Sequence, residues 1–269
     1  MRILAVITAA DTTHACLDAA LVAAAADRSA AIDALHVVVD PEQLVVSTEE
    51  VQLQRMREAG EGSARDRERA ARAAFITWNA GLDPGDPHVA WKPLTGTEEG
   101  VIAQEARNAD LIVLARAHDI DSSDAQHAAL LATGKPVLIV PGGWRANRRR
   151  FDHIAVGLGD DPVADGAIRA AFPWLKKAEH VTAIRIGEEG DLAAKLAGRL
   201  LDMGIKAEVR MVAGEDENLG AQIVRAANAL RADLLVAGAY RHGSLVEWLL
   251  GGTTRHLLAA AELPLMLCH

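Results

Sequence analysis

From Gly238 to His256 the chain reads GAYRHGSLVEWLLGGTTRH, with glycines at 238, 243, 251 and 252 and with Thr253 and Thr254 directly behind the last pair. This stretch follows an apolar run, ADLLVA. A glycine-bearing turn between a strand and a helix lets backbone N–H groups approach an anion. A hydroxyl at the helix start then meets unpaired N–H groups and the positive end of the dipole. The chemistry on offer is phosphate binding. Arg241 and His242 add side chains to the same loop, and a guanidinium can replace backbone amides with a charged contact. A second stretch, LGDDP at 158–162, puts Gly159 and Asp160 behind another apolar run. Asp161 and Pro162 read as a helix cap followed by proline at the first helical position. Carboxylates there compete with a phosphate unless Mg²⁺ bridges the charges.

Other reactive side chains form weaker sets. His242, Ser244 and Glu247 are the residue types of a hydrolytic triad, but neighbours on one loop rarely face one another, and no nucleophile-elbow sequence accompanies them. His118, Asp119, Asp121, Asp124 and His127 crowd one short segment. They are metal-ligand types and equally ordinary loop and capping residues. The two cysteines, Cys16 and Cys268, have neither metal-ligand nor disulfide spacing, which suits a reducing compartment. No catalytic residue and no metal ligand is assigned, and an enzymatic role is not expected beyond weak ATP hydrolysis.

The elements that must position these residues are written twice. ADLIVLARA at 109–117 returns as ADLLVAGAY at 232–240, KPVLIVP at 135–141 as LPLMLCH at 263–269, and ILAVITAAD at 3–11 as IAVGLGDDP at 154–162. Continuous apolar strands alternating with amphipathic helices imply a parallel sheet covered on both faces, and right-handed crossovers make it doubly wound. The expected fold class is α/β, with two tandem five-stranded doubly wound sheets related by a pseudo-two-fold axis. The expected domains are 1–145 and 151–269, joined at the basic run RANRRR, which reads as a solvated connector. The gap between the second and third strands is 48 residues in the first half, 40–87, and 18 in the second, 187–204. The longer gap predicts a charged helix within 47–81, with Ala70, Ala74 and Trp78 recurring along it.

Two tandem α/β domains with a glycine-bearing loop after the fourth strand resemble the universal stress protein family in its two-domain form. ATP-binding members carry glycine, two residues, glycine, nine residues, then glycine followed by serine or threonine. Laid on this chain, Gly238 and Gly251 match, Arg241 stands at the second glycine, and Gly252 stands where the hydroxyl belongs, with Thr253 and Thr254 one and two places late. Two readings follow. Arg241 clamps a phosphate, or its bulk fills the place a phosphate needs. In the first half this loop is missing, and no nucleotide is expected there.

The resemblance implies a regulatory, non-catalytic stress-response role, with an ATP or AMP pocket, with magnesium, in the second domain. Its candidate residues are Gly159, Asp160, Gly238, Arg241, His242, Gly251, Gly252, Thr253 and Thr254. The alternative is a binding module without nucleotide, acting through a protein partner or another small ligand. The resemblance also implies that the final strands, PVLIVP and PLMLCH, pair between domains, and it leaves a homodimer open. A formal net charge of −9 argues against nucleic acid. No apolar segment is long enough for a bilayer, so the expected location is the cytoplasm.

Overall fold

The apolar runs of both repeats form strands, because a segment buried on both faces must satisfy its backbone groups within a sheet. The computed structural model describes residues 1–40, 48–116, 122–157, 162–187, 192–214, 218–238, 257–258 and 260–268. The chain divides into two units, Met1–Arg149 and Arg150–His269.

In the first unit the order along the chain is β1 (Arg2–Val6), α1 (Thr13–Ala24), β2 (Ala31–Val38), α2 (Thr48–Glu61), α3 (Ala64–Asn79), β3 (Val89–Thr95), α4 (Glu98–Ala106), β4 (Leu111–Arg116), α5 (Ser122–Ala132) and β5 (Val137–Pro141). Its strands lie in the order β3-β2-β1-β4-β5, all pairs parallel. The second unit follows with β6 (His153–Gly157), α6 (Pro162–Leu175), β7 (His180–Ile186), α7 (Leu192–Asp202), β8 (Glu208–Val212), α8 (Leu219–Ala229), β9 (Leu234–Gly238) and β10 (Leu265–Cys268). Its order is β8-β7-β6-β9-β10, again parallel throughout. Each unit is therefore an α/β doubly wound sheet. Among the described residues no helix is long and apolar enough to cross a membrane.

The same aspartate pins the central pair in both units. Asp110 accepts a hydrogen bond from the Arg2 N–H at 2.8 Å and its own N–H donates to the Arg2 carbonyl at 2.8 Å. Asp233 accepts from the N–H groups of Asp152 and His153 at 3.1 and 2.9 Å, and its N–H donates to the His153 carbonyl at 2.8 Å. These are the aspartates of the repeated Ala-Asp pair. Above them, Leu111–Leu114 and Leu234–Val236 are fully buried. Cys16, whose thiol lies 3.5 Å from the Val6 and Val113 carbonyls, and Cys268 are buried as well, and burial raises both thiols well above their ordinary range.

Where one charged helix was expected, the chain makes two. Gly62 adopts a φ of 87°, ending α2, and Ser63 starts α3 with a capping box: its side chain accepts from the Asp66 N–H while Asp66 accepts from the Ser63 N–H. Of the three residues that recur along this stretch of sequence, Trp78 alone lies on the buried stripe of α3. Ala71, Phe75 and Trp78 are buried, whereas Ala70 is exposed and Ala74 half-buried. Two contacts set that rotation. Phe75 packs on Trp91 of β3, and the Trp78 indole N–H donates to Asp18 of α1 at 2.7 Å.

The basic run is largely solvated, as expected, and Arg149 and Arg150 in it form ion pairs. Arg149, 78% exposed, reaches Asp83 and Asp86 within the first unit. Arg150 reaches Asp152 and Glu179 within the second. At Gly62, a left-handed φ disfavours any Cβ, so Gly62→Ala should lower stability by about 1–2 kcal/mol, read as a reduced urea midpoint.

Candidate functional site

In a doubly wound sheet, ligands bind where the crossovers diverge, at the carboxyl ends of the two strands that separate. In the second unit the chain runs from β6 outward through β7 and β8, and from β9 the other way to β10. The divergence lies between β6 and β9. Register places Gly157, the last residue of β6, beside Ala237, and the next residue, Gly238, ends β9. The two stretches singled out from sequence thus leave neighbouring strand ends.

Of the nine candidate residues, Gly238 is described, half-exposed at the end of β9 and paired with Cys268. Gly159 and Asp160 lie in 158–161 and Arg241, His242, Gly251, Gly252, Thr253 and Thr254 in 239–256, outside the described residues. Asp161, Ser244, Glu247 and Trp248 lie outside them too. Pro162 does open α6, the position its proline chemistry predicts. Beyond the loop the chain returns through buried Leu257 and Leu258, and the Ala261 N–H donates to the Leu257 carbonyl at 3.0 Å.

One residue of this rim escaped the sequence reading. A Cβ on Gly157 would lie 3.1 Å from Ile223 of α8. A side chain on Gly157 would therefore need Ile223 to move. The signal was a glycine ending an apolar strand, which marks a close approach.

The equivalent rim of the first unit has a close approach of its own. Thr12, just before α1, and Gly142, just after β5, meet across the end of β4. A Cβ on Gly142 would stand 2.8 Å from the Arg116 carbonyl oxygen and 3.2 Å from the Thr12 methyl. Thr12 and Thr13 turn their hydroxyls to the Ala9 carbonyl at 3.2 and 2.8 Å. Of the crowded histidines and aspartates, Asp124 and His127 are three apart on α5, while 118–121 lie outside the described residues. Burial lowers His127 below its ordinary value, opposed by the charge of Asp124. Among the described residues no three His, Cys, Asp or Glu gather to hold a metal.

The most buried histidine among the described residues lies beside this rim. His36 of β2 is 4% exposed; its Nδ1–H donates to the Ile7 carbonyl at 2.8 Å and its ring stacks on Trp91 at 5.9 Å between centroids. Burial pulls it below 6.5, with Arg57 and Arg67 adding to the shift and the Ile7 hydrogen bond and Glu68 opposing it.

The universal stress protein family model matches residues 183–269, from the middle of β7 through β10. That stretch is similar to the universal stress protein family. The whole chain also has the fold of known solved structures. A universal stress protein from Archaeoglobus fulgidus DSM 4304 is 16% identical, covers 99% of this chain and 95% of its own, and superposes with a TM-score of 0.59. A functionally unknown protein from Pseudomonas aeruginosa PAO1 is 16% identical over 99% of this chain and 92% of its own, with a TM-score of 0.56. No curated protein matches the sequence. At this identity the structural likeness speaks for the fold, and the family match lies in the unit whose loop carries the glycines.

Two outcomes test this account of the first unit. Gly142→Ala, facing a backbone oxygen that cannot swing away, should cost about 1–3 kcal/mol; Gly143→Ala, with nothing within 4 Å, should leave the urea midpoint unchanged. His36 has its folded value lowered, so the unfolded chain takes up the proton first as pH falls. Its contribution is fully present above about pH 6.5 and is lost below that. The urea midpoint should therefore fall between about pH 7.5 and 5.5, by less in His36→Gln; equal falls would assign the titration elsewhere.

Proposed function

We propose that this protein is a regulatory member of the universal stress proteins that binds an adenine nucleotide at the carboxyl rim of its second unit and acts through binding rather than turnover. The observation that carries the reading is the register at the divergence point. Gly157 and Gly238 end neighbouring strands, so the 158–161 and 239–256 stretches leave the sheet side by side. A glycine-bearing turn leading into a helical segment at such a point is suited to a phosphate. In this reading Gly238, Gly251 and Gly252 admit the phosphates, Thr253 and Thr254 contribute hydroxyls, and Arg241 supplies a charged contact. Gly159 and Asp160 border the nucleoside side, with magnesium offsetting the carboxylate.

The rival reading, a binding module that takes a protein partner or another small ligand, is favoured by one residue. Arg241 stands where the ATP-binding pattern has glycine. Calorimetry with ATP and magnesium, and with AMP, separates the two. A saturable heat is expected below millimolar ligand, and none at millimolar ligand removes the nucleotide. In Arg241→Gly, an affinity about tenfold weaker, or about 1.4 kcal/mol, identifies a guanidinium clamp. An affinity gained in that variant identifies a pocket the arginine had filled.

A further inference from the structure

The second unit has a pair of histidines at the edge opposite its glycine-bearing rim. His153 opens β6 and His180 opens β7, and the parallel register sets the two side by side. Residues paired in this way project from the same face of a sheet. Their rings meet edge to face, with centroids 5.9 Å apart and planes at 72°. His180 is exposed and His153 half-buried, so the pair is reached from solvent.

One further side chain orients the pair. Thr182 lies two residues along β7, on the same face, and its buried hydroxyl stands 2.9 Å from Nε2 of His153. With Nε2–H donating to the threonine, Nδ1 carries the lone pair, and the ring is held in place through its other nitrogen. Among the described residues, Nδ1 of His153 and both nitrogens of His180 have no hydrogen-bond partner, and no carboxylate pairs with either ring. The nearby carboxylates are engaged elsewhere. Arg150 takes Asp152 and Glu179, and Asp233 accepts the N–H groups of Asp152 and His153. Two imidazoles with free lone pairs on a rigid ladder suit a transition-metal ion of the zinc class. A tetrahedral ion with nitrogen–metal bonds of about 2 Å holds two imidazole centroids about 5 Å apart. The rings differ from that separation by about 1 Å, which small side-chain rotations take up.

We propose that His153 and His180 hold a divalent transition-metal ion of the zinc class between the first residues of β6 and β7. Water completes the shell of the ion, and Thr182 positions the His153 ring. The two ligands come from different strands, so the folded second unit brings them together and the ion in turn ties those strands. The site lies at the opposite end of β6 from the rim assigned to the nucleotide, and it stands or falls independently of that assignment.

Titration of the untagged full-length protein with zinc at neutral pH, followed through its imidazole resonances by NMR, tests this. The resonances of His153 and His180 should shift together and saturate at one ion per chain, and the urea midpoint should rise with added zinc. His180→Gln, a change at an exposed position, should remove both effects. Thr182→Val should weaken zinc binding about tenfold at unchanged stoichiometry. No shift at these two histidines, or equal affinity in His180→Gln, overturns the proposal. An unchanged affinity in Thr182→Val overturns the part given to that hydroxyl.

Discussion

Each half of this chain depends on one aspartate that holds the start of its fourth strand against the start of its first. Asp110 and Asp233 receive backbone N–H groups from the adjacent strand and return a hydrogen bond of their own, which fixes the parallel register at the amino edge. Once that edge is fixed, a rigid ladder sets what stands side by side at the other. In the second unit it is Gly157 beside Ala237. In the first, Val6 stands beside Leu114. A slip of one residue would turn every buried side chain to the opposite face. The cost of such a slip is that of a core, so the pin is small but decisive in choosing among alignments.

Much of this is legible in the amino-acid sequence, for a physical reason. Parallel strands covered on both faces are continuous apolar runs, and runs such as LIVLA and LLVA stand out without any knowledge of partners. The Ala-Asp repeat and the proline that opens α6 are legible for the same local reason. The break between α2 and α3 was available in the Gly-Ser-Ala-Arg-Asp stretch, where a left-handed glycine and a capping box adjoin, but a long charged periodicity obscured it. The face of α3 was not available at all. It depends on Trp78 finding Asp18 sixty positions away and on Phe75 finding Trp91. The meeting of Thr12 with Gly142 is hidden for the same reason, since it joins the two ends of the unit.

The two units have put their variation in different places on one scaffold. The second has a glycine- and threonine-bearing sequence after β9 and, among the described residues, one helix between β7 and β8. The first has no such glycines in its sequence after β4, brings Gly142 close to Thr12 and Arg116, and carries an additional helix between β2 and β3. Both changes fall at the carboxyl rim, where connections can differ without disturbing the apolar layers beneath.

The burial of Cys16 and Cys268 also bears on how the protein can respond to its surroundings. A protonated sulfur enclosed by packed strands and helices offers an oxidant neither a thiolate nor a path of approach. Peroxide would reach these atoms only after the sheets had opened. A sulfenic acid at either position would therefore be a mark of damage already done.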